Sequence, residues 1–287
     1  MFGTSTFIYI GIMAAIGISL PVAVSIWWLR TRREKITTVL TGAATWFVFA
    51  MILETIVHII VSKVFPAVFE NTISYTIYGA LMAGLFEETG RLVAFKTVLR
   101  KRTNRETAIS HGIGHGGFEA LLLLGYAGIQ YLAYAMIINQ GKLQMLIDEV
   151  EKAGGDASSV KALPEQIAAI TPGYVAMGVC ERVFAMLLHV GLSILVFYAV
   201  KKSRTSLYIL AIALHALFDV PAALYQCGIL TLPVVEAILA IYSIVFFVTV
   251  YKMLYKKDFG NGNKSSELNS AVDTKVSGTP EEVSGNA

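Results

Sequence analysis

Charged residues are scarce in this 287-residue sequence, of which Asp, Glu, Lys and Arg make up 15%. An ordinary soluble domain has about 25%. With 55% hydrophobic residues and a mean hydropathy of +0.64, the chain has too little polar surface to cover a globule in water. This shortage argues against a soluble enzyme.

Cysteine is also scarce, since the chain has only Cys180 and Cys227, both in or beside apolar stretches and without CxxC spacing. A disulfide framework and a cysteine-based zinc finger are therefore not expected. The N-terminal segment MFGTSTF lacks the basic residues of a secretory signal, so the first apolar stretch is interpreted as a retained anchor. Neither an internal repeat nor a nucleic-acid motif is apparent, and we expect no nucleic-acid partner.

Long apolar stretches are abundant. A helix needs about 20 predominantly apolar residues to cross a bilayer, and seven stretches meet this requirement. They are Phe7–Leu29, Val39–Val64, Thr72–Val98, Thr107–Ile138, Pro172–Val200, Ser206–Tyr225 and Leu232–Leu254. The sequence therefore predicts an all-α fold, a polytopic membrane bundle of about seven transmembrane helices.

Basic residues cluster on alternate connections between these stretches. They are Arg30, Arg32, Arg33 and Lys35, then Arg100, Lys101, Arg102 and Arg105, then Lys201, Lys202 and Arg204, and finally Lys252, Lys256 and Lys257. By the positive-inside rule these connections face the cytoplasm. We therefore expect an outside N-terminus and a cytoplasmic C-terminus, in a cell membrane of the bacterial cytoplasmic type.

Two polar segments complete the predicted domain organisation. Within the transmembrane domain, residues 1–257, the segment 140–171 contains LQMLIDEVEKA, with the apolar spacing of a short amphipathic helix on the outer face, followed by a flexible turn. Residues 258–287 are rich in Gly, Ser, Asn and acids, and have too few apolar residues to fold alone. We expect them to form a disordered cytoplasmic tail.

Ionisable residues inside the predicted spans are the main functional signal, because burying them in hydrocarbon is costly and usually marks a site or an ion path. The third span contains GLFEETGRLVAF, in which Arg91 can reach both Glu87 and Glu88. An ion pair at the end of the helix is the structural alternative. In the fourth span, His115 and Glu119 share a face amid four glycines, which allow a neighbouring backbone to approach closely.

The fifth span contributes His189, and the sixth contributes His215 and Asp219 four residues apart on one face. Each could instead be a hydrogen-bonded packing residue. Four further polar residues are interpreted more conservatively: Glu181 and Arg182 can neutralise each other, and Glu54 and His58 could be a separate structural pair. His111, next to a basic connection, is taken as a packing residue.

Histidines and carboxylates on several spans are the ligands that a zinc–water site requires. Zinc lowers the pKa of its water to about 7, and a nearby glutamate then acts as the general base. Because no HExxH motif lies on a single helix, such a site needs spans three to six to pack together.

Four motifs in span order resemble those of the YhfC-type family of intramembrane metalloproteases, which is related to the CAAX-protease and bacteriocin-processing group and to PrsW-type proteases. They are EETGR at 87–91, GHGGFEA at 114–120, ER at 181–182 with His189, and HALFD at 215–219. The resemblance covers roughly residues 1–255. Two features differ from the prenyl-protease branch: its EExxxR spacing is EExxR here, and its FxxxH motif is absent.

The resemblance implies a role for each motif. The paired glutamates with the basic residue would activate the attacking water, the second motif would contribute a histidine or a glutamate, and the final motif is HxxxD. The first motif falls on Glu87, Glu88 and Arg91, and the second on His115 or Glu119. The final motif falls on His215 and Asp219, and His189 matches the histidine of the intervening helix.

We therefore expect an intramembrane metalloprotease that cleaves a membrane-embedded or membrane-associated polypeptide. Glu88 or Glu87 would deprotonate the water, and Arg91 would fix the glutamate pair. Zinc would be held by His115, His189 and His215, with Glu119 and Asp219 orienting ligands or completing the shell. A metal-free glutamate and histidine mechanism stays open. So do a proton- or ion-coupled transporter and a catalytically silent binding or immunity protein of the same fold.

Overall fold

The computed structural model describes residues 1–256, and these form ten helices without a strand among them. The helices are α1 (Thr4–Arg32), α2 (Ile36–Val64), α3 (Ala67–Glu70), α4 (Thr72–Lys96), α5 (Glu106–Asn139), α6 (Leu143–Lys152), α7 (Ser158–Ala168), α8 (Pro172–Lys201), α9 (Thr205–Gln226) and α10 (Leu232–Lys256). The predicted tail, residues 258–287, lies outside the described part of the chain.

The prediction of an all-α polytopic membrane bundle is confirmed. Six helices, α1, α2, α5, α8, α9 and α10, are long and apolar enough to cross a membrane. Helix α4 is the remaining predicted span. Its 25 residues extend about 37 Å at about 1.5 Å per residue, which exceeds the hydrocarbon thickness of about 30 Å. Its charged residues make it more polar than the other six, and the total of seven spans stays a prediction.

Helix α8 lies at the centre of the bundle. Of its most apolar window, 72% is buried, compared with 33% or less for each of the other five apolar helices. Its side chains Leu188, Leu192 and Phe197 belong to a hydrophobic core shared with α4, α5, α9 and α10. A helix that is apolar on all sides is expected at such a position.

Glycines of α5 allow its neighbours to approach backbone to backbone. A Cβ atom on Gly114 would lie 1.9 Å from the carbonyl oxygen of Val39 in α2. On the opposite face, a Cβ atom on Gly112 would lie 2.5 Å from the Cα atom of Val190 in α8. The close approach predicted from these glycines is therefore present, and it brings α2 and α8 into backbone contact with α5.

The basic connections lie together at one end of the bundle. Asn104, after α4, donates to Glu34, after α1, and the Arg105 guanidinium lies 4.8 Å from the ring centroid of Tyr255 in α10. The opposite end holds α3, α6 and α7. The predicted amphipathic helix corresponds to α6, and the structure adds α7 after a turn at Gly154. Which end faces the cytoplasm stays a prediction.

Candidate metal centre

Helix α4 positions the two glutamates and the arginine. It begins after Asn71, whose side-chain oxygen accepts backbone hydrogen bonds from the first turn. Further along, Arg91 donates to Glu88 and lies 3.6 Å from the Oε2 atom of Glu87. The side chains of Arg91 and Glu88 are fully buried, so this ion pair is held in place by the surrounding helices.

Helix α5 presents His115 and Glu119 towards the same interior. The Nε2 atom of His115 lies 2.8 Å from the Oε2 atom of Glu87. The side chain of His189, from α8, is brought alongside because Gly116 leaves room for it: a Cβ atom there would lie 2.9 Å from the His189 ring. Directly after Glu119 the helix widens into π-helical turns at Leu121–Tyr126, a feature frequent next to functional sites.

His189 lies between α4 and α5 with both ring nitrogens in contact. Its Nδ1 atom accepts a hydrogen bond from Arg91 at 2.6 Å and lies 3.8 Å from the Oε2 atom of Glu87. Its Nε2 atom lies 2.5 Å from the Oε2 atom of Glu119. With Nδ1 accepting, the proton of the neutral ring is on Nε2, facing the Glu119 carboxylate.

Helix α9 completes the cluster with His215 and Asp219. The Nδ1 atom of His215 lies 2.7 Å from the Oε1 atom of Glu88. Its Nε2 atom lies 3.5 Å from Oδ2 of Asp219 and 3.8 Å from Oε2 of Glu87. His215 therefore connects a fully buried carboxylate to one that is 26% exposed.

The ligand atoms of Glu87, His115 and His189 lie within 4.8 Å of one another, close enough to bind one metal ion. Two imidazoles and a carboxylate are a donor set that zinc accepts. The Nε2 atom of His215 also faces Glu87, but at 3.8 Å, with the other ring nitrogen against Glu88.

The charges of the cluster also suit a cation. Arg91 faces Glu87 and Glu88, and Arg182 faces Glu119 and Glu181, whereas Asp219 pairs with His215. With neutral histidines, these five carboxylates and two guanidinium groups carry a formal charge of −3. Unpaired buried charge is costly, and a divalent ion would offset most of it. The Oε2 atom of Glu88 and the Nδ1 atom of His115 are buried and have no hydrogen-bond partner.

The structure thus brings together the eight predicted site residues: Glu87, Glu88, Arg91, His115, Glu119, His189, His215 and Asp219. The residues interpreted conservatively, Glu54, His58 and His111, are outside the group of Glu87, His115 and His189, although the ring centroid of His111 lies 6.0 Å from that of His115. His58 pairs with Glu54 at 3.2 Å and with the Tyr78 hydroxyl at 2.9 Å. His111 lies next to Ser193, with its Nδ1 atom 3.2 Å from the hydroxyl oxygen.

Arg182 is a site residue that the sequence analysis paired only with its neighbour Glu181. It does contact Glu181, but it also donates to the Oε1 atom of Glu119 at 2.5 Å and so holds the carboxylate that faces His189. Its position seven residues before His189, which puts both on one face of α8, was the available signal.

Comparison with known proteins gave two matches. Residues 13–240 match the family model described as YhfC intramembrane metalloprotease. The chain is also 34% identical over 249 residues to a protein of Bacillus subtilis (strain 168) described as "Uncharacterized membrane protein YhfC", a match that covers 84% of this chain and 95% of that protein. No solved structure matches.

Proposed function

Because this chain belongs to the YhfC intramembrane metalloprotease family, we propose that it hydrolyses a peptide bond of a membrane-embedded or membrane-associated protein, using a water molecule activated at the α4–α5–α8–α9 cluster. The observation that carries the proposal is the buried group of Glu87, His115 and His189, next to a second carboxylate, Glu88, that has one unpartnered oxygen.

The residues fit a bound zinc ion. Glu87 Oε2, His115 Nε2 and His189 Nδ1 would hold it, with the Glu119 carboxylate receiving the proton-bearing Nε2 of His189. Such a carboxylate fixes the ring orientation of a metal-ligating histidine. Arg91 would give up its bond to His189 and keep its pair with Glu88. When bound, zinc supplies a Lewis acid that polarises a carbonyl and acidifies a water molecule.

Glu88 is the group best placed to take the proton from the attacking water. Glu87 would be occupied by the metal, whereas Glu88 has its Oε2 atom free. Arg91 and His215 both contact the other side of this carboxylate and fix its direction. His215 lies between Glu88 and Asp219 and can pass a proton from the buried carboxylate to the more exposed one.

Metal content is the first test. Elemental analysis of the purified protein should find about one zinc ion per chain, and His115→Ala and Glu87→Ala should lose it. His58→Gln is the matched control, since His58 is an intramembrane histidine that lies apart from the three ligands and should leave the metal content unchanged. Equal metal content in all four proteins would contradict the ligand assignment.

Proteolysis is the second test. Membranes of cells that express the wild type or Glu88→Gln are compared by mass spectrometry of newly formed peptide termini, and a substrate found in this way is then cleaved in proteoliposomes. Glu88→Gln and His215→Ala should insert normally, and Glu88→Gln should keep its zinc, but neither should cleave. Full cleavage by both variants would refute the mechanism. Solute flux without cleavage would instead favour a transporter.

A further inference from the structure

A cleft of about 440 Å³ leads from the α3 end of the bundle to the catalytic cluster. Its walls come from α2, α3, α4 and α9, and Asp219 lies at its inner end. It shares Phe69, Tyr75 and Gln226 with a smaller cavity of about 290 Å³. That cavity is also lined by the last residue of α3, the first residue of α4, and Cys227 after α9. The two cavities therefore lie side by side between the end of the bundle and Asp219.

One face of α4 packs against α9 and another lines the cleft. At Gly84 the two helices touch, since a Cβ atom there would lie 2.7 Å from the carbonyl oxygen of Ile212. Gly79 lies about 140° from Gly84 around the α4 axis, in the wall of the cleft, and a Cβ atom there would meet nothing within 4 Å. Near the mouth, the Tyr75 hydroxyl donates a hydrogen bond to the Gln226 side chain and so links the two helices.

Exposure within the catalytic cluster increases in the same direction. The side chains of Glu88, Arg91 and His115 are 0% exposed and that of His215 is 2% exposed, but that of Asp219 is 26% exposed. The Oδ2 atom of Asp219 is itself buried without a hydrogen-bond partner. Among these five residues, Asp219 is the one that lines the cleft. A molecule in the cleft would therefore pass Asp219 before it reaches His215.

The walls combine small residues with hydrogen-bonding groups. Gly79, Ala80, Ala222 and Ala223 leave space on α4 and α9. The hydrogen-bonding groups are the imidazole of His58 from α2, 37% exposed, and the hydroxyl of Tyr78 from α4, which hydrogen bond to each other. A polypeptide that leaves helical geometry inside a membrane needs partners for its backbone N–H and C=O groups, and these side chains offer them.

We infer that this cleft, with Gly79 in its wall and Asp219 at its inner end, is the substrate channel: it takes an unwound segment of a membrane polypeptide and delivers it to His215 and Glu88. The inference rests on the proposed function and names where its substrate binds. The volume lies within the range of about 300–1,000 Å³ typical of ligand pockets, which suits a few extended residues better than an intact helix about 10 Å wide. His58, which lines the cleft, thereby gains a role in substrate contact, and Glu54 holds its other ring nitrogen.

Accessibility is tested by cysteine labelling. Gly79→Cys is made in a chain that carries Cys180→Ser and Cys227→Ser, and permeabilised membranes are treated with a membrane-impermeant sulfonated maleimide dye. The matched control is Gly11→Cys: Gly11 is also the seventh residue after the first residue of its helix, and a Cβ atom there also meets nothing within 4 Å. Labelling at position 79 and not at 11 is the expected result, and lack of labelling at 79 would overturn the inference.

Substrate use is tested by filling the cleft. Gly79→Phe should lose cleavage of the membrane substrate while it keeps the wild-type zinc content, whereas Gly11→Phe should cleave like the wild type. Wild-type cleavage by Gly79→Phe would overturn the channel and leave the proposed protease intact. If the wild type neither binds metal nor cleaves, the proposed function is overturned, and a membrane polypeptide is then not its substrate.

Discussion

At the scale of single residues, the centre depends on carboxylates whose partners are fixed by other helices. Glu119 lies between His189 and Arg182, so in the proposed metal centre Arg182 would act on the ligand His189 through Glu119. Removing the guanidinium partner of a buried carboxylate typically lowers the free energy of unfolding of the protein by about 3–5 kcal/mol. Arg182 is therefore a positioning residue.

Replacing Arg182 should weaken metal binding. Arg182→Met leaves Glu119 without its 2.5 Å ion pair, so His189 loses its fixed orientation, and zinc affinity should fall by about 10–100-fold, as for other carboxylates that orient a metal-bound histidine. Chelator competition measures the dissociation constant. Arg182→Lys should restore part of the affinity because it keeps the charge; affinity unchanged in Arg182→Met would show that Glu119 needs no such partner.

At the scale of helices, the glycines of α5 determine the site because they set the distances between α2, α5 and α8. Gly114→Ala places a methyl group where a Cβ atom would lie 1.9 Å from the Val39 carbonyl oxygen. Overpacking of this kind typically costs about 1–3 kcal/mol. The variant should unfold at a lower temperature and bind zinc less well, as measured by thermal denaturation in detergent and by elemental analysis.

Gly11→Ala is the control for that substitution, since a Cβ atom at Gly11 meets nothing within 4 Å. It should unfold like the wild type. Equal stability of the two alanine variants would mean that α2 and α5 can separate at little cost.

The sequence was sufficient to place most helices. The predicted span Pro172–Val200 corresponds to α8 at Pro172–Lys201, and Leu232–Leu254 to α10, because proline begins and basic residues end these apolar runs. Helix α7 was missed, since its sequence SSVKALPEQIA is polar and contains Pro164, which normally argues against a helix interior.

The site was predicted as a set of residues but not as a set of contacts. Periodicity showed that His215 and Asp219 share a face, yet only the packing of α4 against α9 shows that His215 faces Glu88. For the same reason the sequence could not tell which glutamate lies beside His115 and His189. Spacing fixes angles around one helix axis, whereas ligand geometry depends on the distances between axes.

At the scale of the whole molecule, the basic connections share one end of the bundle and α6 and α7 lie at the other. The positive-inside rule therefore gives a single orientation. Alkaline phosphatase, active only outside the cytoplasm, should be active when fused after Gly154 and inactive when fused after Arg102, and a cytoplasmic fluorescent reporter should give the opposite pattern. The reverse result would place the mouth of the substrate channel on the cytoplasmic side.

The backbone contacts around α5 have a consequence for motion. Helices α2, α5 and α8 meet at Gly112 and Gly114 without side chains between them, so they have no rotamers to rearrange and little freedom to slide. If a polypeptide enters as proposed, we expect the bundle to widen at the ends of α4 and α9, where the Tyr75 hydroxyl donates to the Gln226 side chain. In the proposed protease, His115 of α5 and His189 of α8 would then keep their positions while the entrance opens, and we expect this opening to limit turnover.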